Sequence, residues 1–139
     1  MKFKGKVLVI DDESHVRKYV GLILRSVLSE PTIIEVDSSL EAVEIYQREL
    51  PDLVLLDVNM PVQDGIETLR ALFDADAECT VVMLSSLATR QTVEEALNMG
   101  AAGYLRKDLT KEEIGQALVQ ILTEKNEGND APDEQSTST

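Results

Sequence analysis

Asp11 and Asp12, Asp57 with Asn59 two residues on, the Ser85 and Ser86 pair, and Lys107 are the residues of this chain whose types and spacing could do chemistry. All but Lys107, which follows Gly103–Arg106, stand at or just past the end of a short run rich in valine, isoleucine and leucine, where a strand would deliver a side chain to the edge of a sheet. Three carboxylates gathered at one edge would repel and raise one another's pKa. A hard divalent cation removes that conflict, and an all-oxygen set with room for water suits Mg2+ better than zinc. Nitrogen and sulfur ligation is poorly provided for. The single histidine, His15, has no acid or cysteine at metal spacing, and the single cysteine, Cys79, allows neither an intrachain disulfide nor a multi-cysteine zinc site. His15 is expected on the surface and Cys79 in or near the core.

The elements that must position these groups follow from two alternating rhythms. Residues 6–10, 32–36, 53–57, 80–85 and 103–106 read as strands covered on both faces. Between them apolar residues recur at helical spacing, as in Val16, Val20, Ile23, Leu24 and Val27, or Ile114, Ala117, Leu118, Ile121 and Leu122. Ser14, Ser39 and Thr110 are expected N-caps, acids fall in the first turns at Glu41, Glu112 and Glu113, and Gly100 sits where a helix should stop. Strict alternation predicts an α/β fold, (βα)5, with a doubly wound five-stranded parallel sheet; in the order 2-1-3-4-5, which makes strands 1 and 3 neighbours, Asp11, Asp12 and Asp57 would lie close together. In such sheets ligands bind beyond the carboxyl ends of the strands, where all the groups named above fall.

Composition narrows the partners. Thirteen basic and 26 acidic side chains give −13, and removing the four acids of residues 126–139 leaves −9 for residues 1–125. That balance argues against direct nucleic-acid binding, which depends on phosphate neutralisation by Lys and Arg. Residues 126–139, NEGNDAPDEQSTST, offer one apolar side chain and are read as a disordered acidic tail or linker after a domain spanning 1–125. The apolar runs are far shorter than the roughly 20 residues of a membrane helix, and residues 1–6 lack the apolar core of a secretion signal. A cytoplasmic protein with no membrane contact is the expectation.

Four segments, VLVIDDE (7–13), LVLLDVNMPVQDG (53–65), VVMLSS (81–86) and GAAGYLRKD (100–108), occur in order and in the right strand contexts, and together they resemble the receiver domain of two-component response regulators, CheY-like, stand-alone or truncated. The resemblance covers residue 5 to about residue 124 and implies the flavodoxin-like receiver fold. It implies Asp57 as the phosphoacceptor, with Mg2+, or Mn2+ in its place, held by Asp12 directly, by Asp11 largely through water, by Asp57 and by the backbone carbonyl of Asn59. Lys107 would pair with the phosphoryl group, Ser85 would be the switch hydroxyl and Tyr104 the aromatic switch residue. The positions that tune phosphoryl lifetime fall at Asn59 and Leu87, of which the first can order water and the second can only shield. One departure stands out: the family usually has proline after the lysine, with a cis peptide, whereas Asp108 follows here. Trans geometry or a strained cis bond is then expected, since a non-proline cis bond costs about 3 kcal/mol.

The function implied is a phosphorylation-dependent signalling switch that takes a phosphoryl group from a sensor histidine kinase or phosphotransfer protein and alters the face read by a downstream target. It is a regulator rather than an enzyme, with slow self-dephosphorylation at most, and a monomer or a weak phosphorylation-dependent dimer. Plainer roles exist for each residue: Asp11 and Asp12 as turn acids, Ser85 as a core serine, Tyr104 as packing, Lys107 as a solvated loop lysine. Pro61 and Gly65 are read as fixing the loop after the third strand. Two other functions compete. One is a receiver-like interaction module that is never phosphorylated. The other is a different enzyme on a similar fold, which fits poorly because the acidic DDESHV after the first strand would repel a flavin phosphate, and because the Asp of a haloacid-dehalogenase-type phosphatase belongs after the first strand rather than the third.

Overall fold

A computed structural model describes residues 5–57, 65–86 and 89–130. The order of elements is β1 (Lys6–Ile10), α1 (Ser14–Val27), β2 (Thr32–Val36), a 3-10 turn (Ser39–Glu41), α2 (Ala42–Glu49), β3 (Leu53–Asp57), α3 (Gly65–Ala75), β4 (Val81–Ser85), α4 (Arg90–Met99), β5 (Gly103–Arg106) and α5 (Lys111–Asp130). The strands form one parallel sheet, as the alternation predicts, and their order is the expected β2-β1-β3-β4-β5. β4 begins at Val81 rather than Thr80.

The apolar runs are explained by the two layers that cover the sheet. β3 and β4 are buried along their whole length and β1 from Val7 onward, whereas the edge strands β2 and β5 are partly open. Alternate residues feed opposite cores. Val7, Val9, Leu53 and Leu55 pack with Val20, Ile23 and Leu24 of α1 and Ile114, Leu118 and Leu122 of α5. Leu8, Ile10, Val54 and Leu56 pack with Ala42 and Tyr46 of α2, Leu69 and Leu72 of α3 and Ala96 of α4. Each buried valine, leucine or isoleucine among them contributes roughly 1.5–3 kcal/mol. Cys79 is buried in the second of these cores, and His15 is exposed.

Helix ends are set locally, with small shifts from expectation. Thr110 and Glu113 form a reciprocal cap: the Glu113 amide donates to Thr110 Oγ1 at 3.1 Å and the Thr110 amide donates to Glu113 Oε1 at 2.9 Å. Gly100 ends α4 with φ of 113°, a left-handed conformation that suits glycine. The cap of α1 is Glu13 rather than Ser14, because Asp11 Oδ1 accepts from the Glu13 amide and carries the turn one residue earlier. At the 3-10 turn Ser38, not Ser39, supplies the capping hydroxyl, and Ser39 is buried instead. Thr89, on which no expectation rested, caps α4 through the Thr92 amide. α5 continues to Asp130, past the boundary that composition places at residue 125, since extending a formed helix adds one hydrogen bond per residue without a new nucleus.

Candidate functional site

The sheet brings four of its strand ends to one place. The Asp11 amide donates to the Val36 carbonyl at 3.0 Å, so the β1–β2 ladder runs one step past β1 and delivers Asp11 to the edge with its side chain buried. Asp57 is the last residue of β3 and Ser85 the last of β4, 2% and 0% exposed respectively. The Lys107 amide donates to the Ser85 carbonyl at 2.8 Å, which fixes the lysine's backbone to the end of β4. Strand register thus places these residues, and the residues before Asp11, Asp57 and Ser85 are apolar because they are core.

Lys107 Nζ lies 3.0 Å from Asp11 Oδ2, 3.2 Å from Asp57 Oδ1 and 3.8 Å from Glu13 Oε1. Ligand oxygens of Asp11, Asp12 and Asp57 all fall within 4.8 Å of one another; Asp12 is exposed, and the other two are buried. Burial, and then the charge of Asp57, push the Asp11 carboxyl above its ordinary value, against the Glu13 amide and Lys107. Burial also works against the Lys107 charge, but Asp11 and Asp57 outweigh it and hold its pKa above that of an ordinary lysine.

Asp11 Oδ2 is the telling atom. It is buried and accepts no hydrogen bond of good geometry, although the lysine ammonium is at ion-pair distance. The lysine neutralises part of the charge gathered at this edge, and a hard cation would neutralise the rest without a proton. The donor set of three carboxylates with no nitrogen or sulfur fits Mg2+ or Mn2+ better than zinc.

Ser85 and Tyr104 meet on the other side of the same edge. Ser85 continues the alternation of Val81 and Met83 toward the core beneath α4, against which Tyr104 packs half-buried. Burial raises the Tyr104 phenol and the Asp57 charge adds to it, while the Ser85 hydroxyl acts in the opposite sense.

The structure therefore brings together Asp11, Asp12, Asp57, Lys107, Ser85 and Tyr104. Asn59, Leu87 and Pro61 lie outside the described residues; Gly65 opens α3 and is buried. The Lys107–Asp108 peptide is trans, and the Asp108 carboxylate pairs with Arg106 at 2.6 Å. Two residues were not anticipated. Glu13, next to the acidic pair, reaches toward Lys107, which its position could have suggested. Arg17 donates from Nη1 to the Asp11 carbonyl at 2.8 Å, and nothing in a basic residue on an exposed-looking helix face signals such a contact.

Among the described residues no helix is long and apolar enough to cross a membrane. A family model, the response regulator receiver domain, matches residues 7–119. The chemotaxis protein CheY of Halobacterium salinarum is 34% identical over 120 residues, which cover 85% of this chain and 97% of that protein. The signal receiver domain of the response regulator NarL from Mycobacterium tuberculosis has a TM-score of 0.75 at 32% identity, covering 85% of this chain and 95% of that one. A chain of the CheX-CheY-BeF3-Mg2+ complex from Borrelia burgdorferi has a TM-score of 0.75 at 29% identity, covering 84% and 88%. With the fold, the acidic edge and these matches in agreement, the chain belongs to the response regulator receiver domain family, as a CheY-like member.

Proposed function

We propose that this receiver domain is a phosphorylation-dependent signalling switch of a two-component system, with Asp57 as phosphoacceptor. The observation that carries the reading is the placement of Lys107 Nζ between the buried carboxylates of Asp11 and Asp57, with Asp12 beside them. The Borrelia burgdorferi complex, which holds a chain similar to this one together with CheX, BeF3 and Mg2+, supports both a cation at this edge and a protein partner. Asp11, Asp12 and Asp57, with the main-chain carbonyl of Asn59, would hold Mg2+ or Mn2+. When bound, that ion neutralises the equatorial oxygens of the phosphoryl group in transfer.

In the reaction an Asp57 carboxylate oxygen attacks the phosphorus of a phosphohistidine in line. The new P–O bond forms as the P–N bond breaks, and the departing imidazole keeps the electron pair and takes up a proton. Lys107 turns from the carboxylates to a phosphoryl oxygen, so its charge follows the developing negative charge without leaving the site. Ser85 then donates to another of the new oxygens. Losing Ser85 as partner frees Tyr104 to rotate, and the face made by α4, β5 and α5 changes for a downstream target. The local charge biases a two-state equilibrium.

A histidine kinase or phosphotransfer protein would donate the phosphoryl group, and slow self-dephosphorylation would reset the switch. The test is an NMR titration with beryllium fluoride and MgCl2, which together mimic an acyl phosphate. Amide shifts at Asp57, Ser85, Lys107, Tyr104 and along α4 are expected in the wild type and absent in Asp57→Ala. A wild type whose spectrum does not respond contradicts the reading.

A further inference from the structure

Arg17, on the first turn of α1, has a largely covered side chain that reaches two elements at once. Its Nη1 donates to the main-chain carbonyl of Asp11 at 2.8 Å, and its Nε pairs with Glu35 Oε1 of β2 at 3.0 Å. Lys18 also pairs with Glu35, at 3.2 Å from Oε2. From the other direction the Asp11 amide is tied to the Val36 carbonyl. Asp11 is therefore held at both of its main-chain polar groups, one by the sheet and one by a guanidinium anchored to that sheet.

The Asp11 carbonyl belongs to the peptide plane shared with Asp12. That plane is rigid, so its orientation sets the directions in which both carboxylates leave the loop. Here the two must converge with Asp57 although all three repel, and Asp12 is exposed, with open solvent to turn into. We propose that Arg17 is a positioning residue for the cation site: by fixing the Asp11–Asp12 peptide it keeps both carboxylates converged before any cation arrives. This rests on the reading that Asp11, Asp12 and Asp57 hold a hard cation. The role needs a fork rather than a point charge, because one arm must reach the loop while the other holds Glu35. Lys18 shares the anchor on Glu35 and supplies a matched control.

The experiment is calorimetric titration of the full chain with MgCl2, paired with the amide shift and hydrogen exchange of Asp12 in metal-free protein. Partners that orient ligands without touching the metal are typically worth ten-fold or more in affinity. Arg17→Ala is expected to weaken Mg2+ binding about tenfold and to speed exchange of the Asp12 amide without metal. Arg17→Lys is expected to bind Mg2+ more weakly than wild type, and Lys18→Ala to bind it as the wild type does. If Arg17→Ala does not fold, Arg17→Lys and Glu35→Gln carry the test. Wild-type affinity in the Arg17 variants, or an equal loss in Lys18→Ala, overturns the positioning role alone. A wild type that binds no Mg2+ overturns the cation site and this role with it.

Discussion

The ammonium of Lys107 stands 3.2 Å from Asp57 Oδ1 while also pairing with Asp11, so one cation is shared by two buried carboxylates. Removing it leaves like charges facing each other in a poorly solvated edge. Lys107→Ala is expected to lower metal-free stability by about 1–3 kcal/mol, less than the roughly 3–5 of a fully buried pair, because the lysine is 17% exposed. Mg2+ should restore more stability to the variant than it adds to the wild type, since it takes over the vacated neutralising role. Thermal unfolding with and without MgCl2 checks both parts.

Asp11 gives a pH dependence of definite sign. Its folded pKa is raised above 3.8, first by burial, so the folded chain binds that proton more tightly than the unfolded chain does. Stability from this group falls as pH rises from 3.8 through the raised value. Metal-free Asp11→Asn should gain on the wild type as pH rises across that window and show no such gain below it. Mg2+ should reverse the order at neutral pH, because asparagine surrenders a charged ligand. Lys107 contributes in the opposite region: its pKa is raised, so its stabilisation holds below 10.5 and is lost as pH climbs through the folded value. Urea unfolding across pH distinguishes the two limbs.

Leu50 ends α2 at φ 49° and ψ 59°, a left-handed conformation, with its side chain 68% exposed. An L-residue other than glycine or asparagine is strained there by roughly 1–2 kcal/mol, and so exposed a leucine recovers little by packing. Leu50→Asn is expected to stabilise the domain by about 0.5–1 kcal/mol, visible as a higher Tm, and to leave the acidic edge untouched.

The reciprocal cap between Thr110 and Glu113 opens α5 three residues after Lys107. Thr110→Ala is expected to cost about 1 kcal/mol, with the loss smaller for Thr110→Ser. Chemical denaturation of the three proteins measures it; equal stability would mean that the hydroxyl does not cap.

Much of this was legible in the sequence, for physical reasons. Strands buried on both faces must be apolar throughout, so Leu53 to Leu56 and Val81 to Leu84 announce themselves, and Asp57 and Ser85 stand out as the polar residues that end them. Helix caps were less sharp. Ser38 and Ser39 offer the same hydroxyl one residue apart, and only the turn decides which is used. The Asp11 carboxylate moves the N-cap of α1 to Glu13, a choice made by the site rather than by helix propensity. Arg17 was invisible because its meaning depends on β2: without the pairing of β1 and β2, nothing puts Glu35 and the Asp11 carbonyl within reach of one guanidinium.

Phosphorylation of Asp57 is the central claim, and intact-mass analysis after incubation with acetyl phosphate tests it. The wild type is expected to gain one phosphoryl group when Mg2+ is present and none when it is chelated, and Asp57→Ala to gain none in either condition. A phosphoryl gain that survives in Asp57→Ala, or a wild type that stays unmodified with Mg2+, would contradict it.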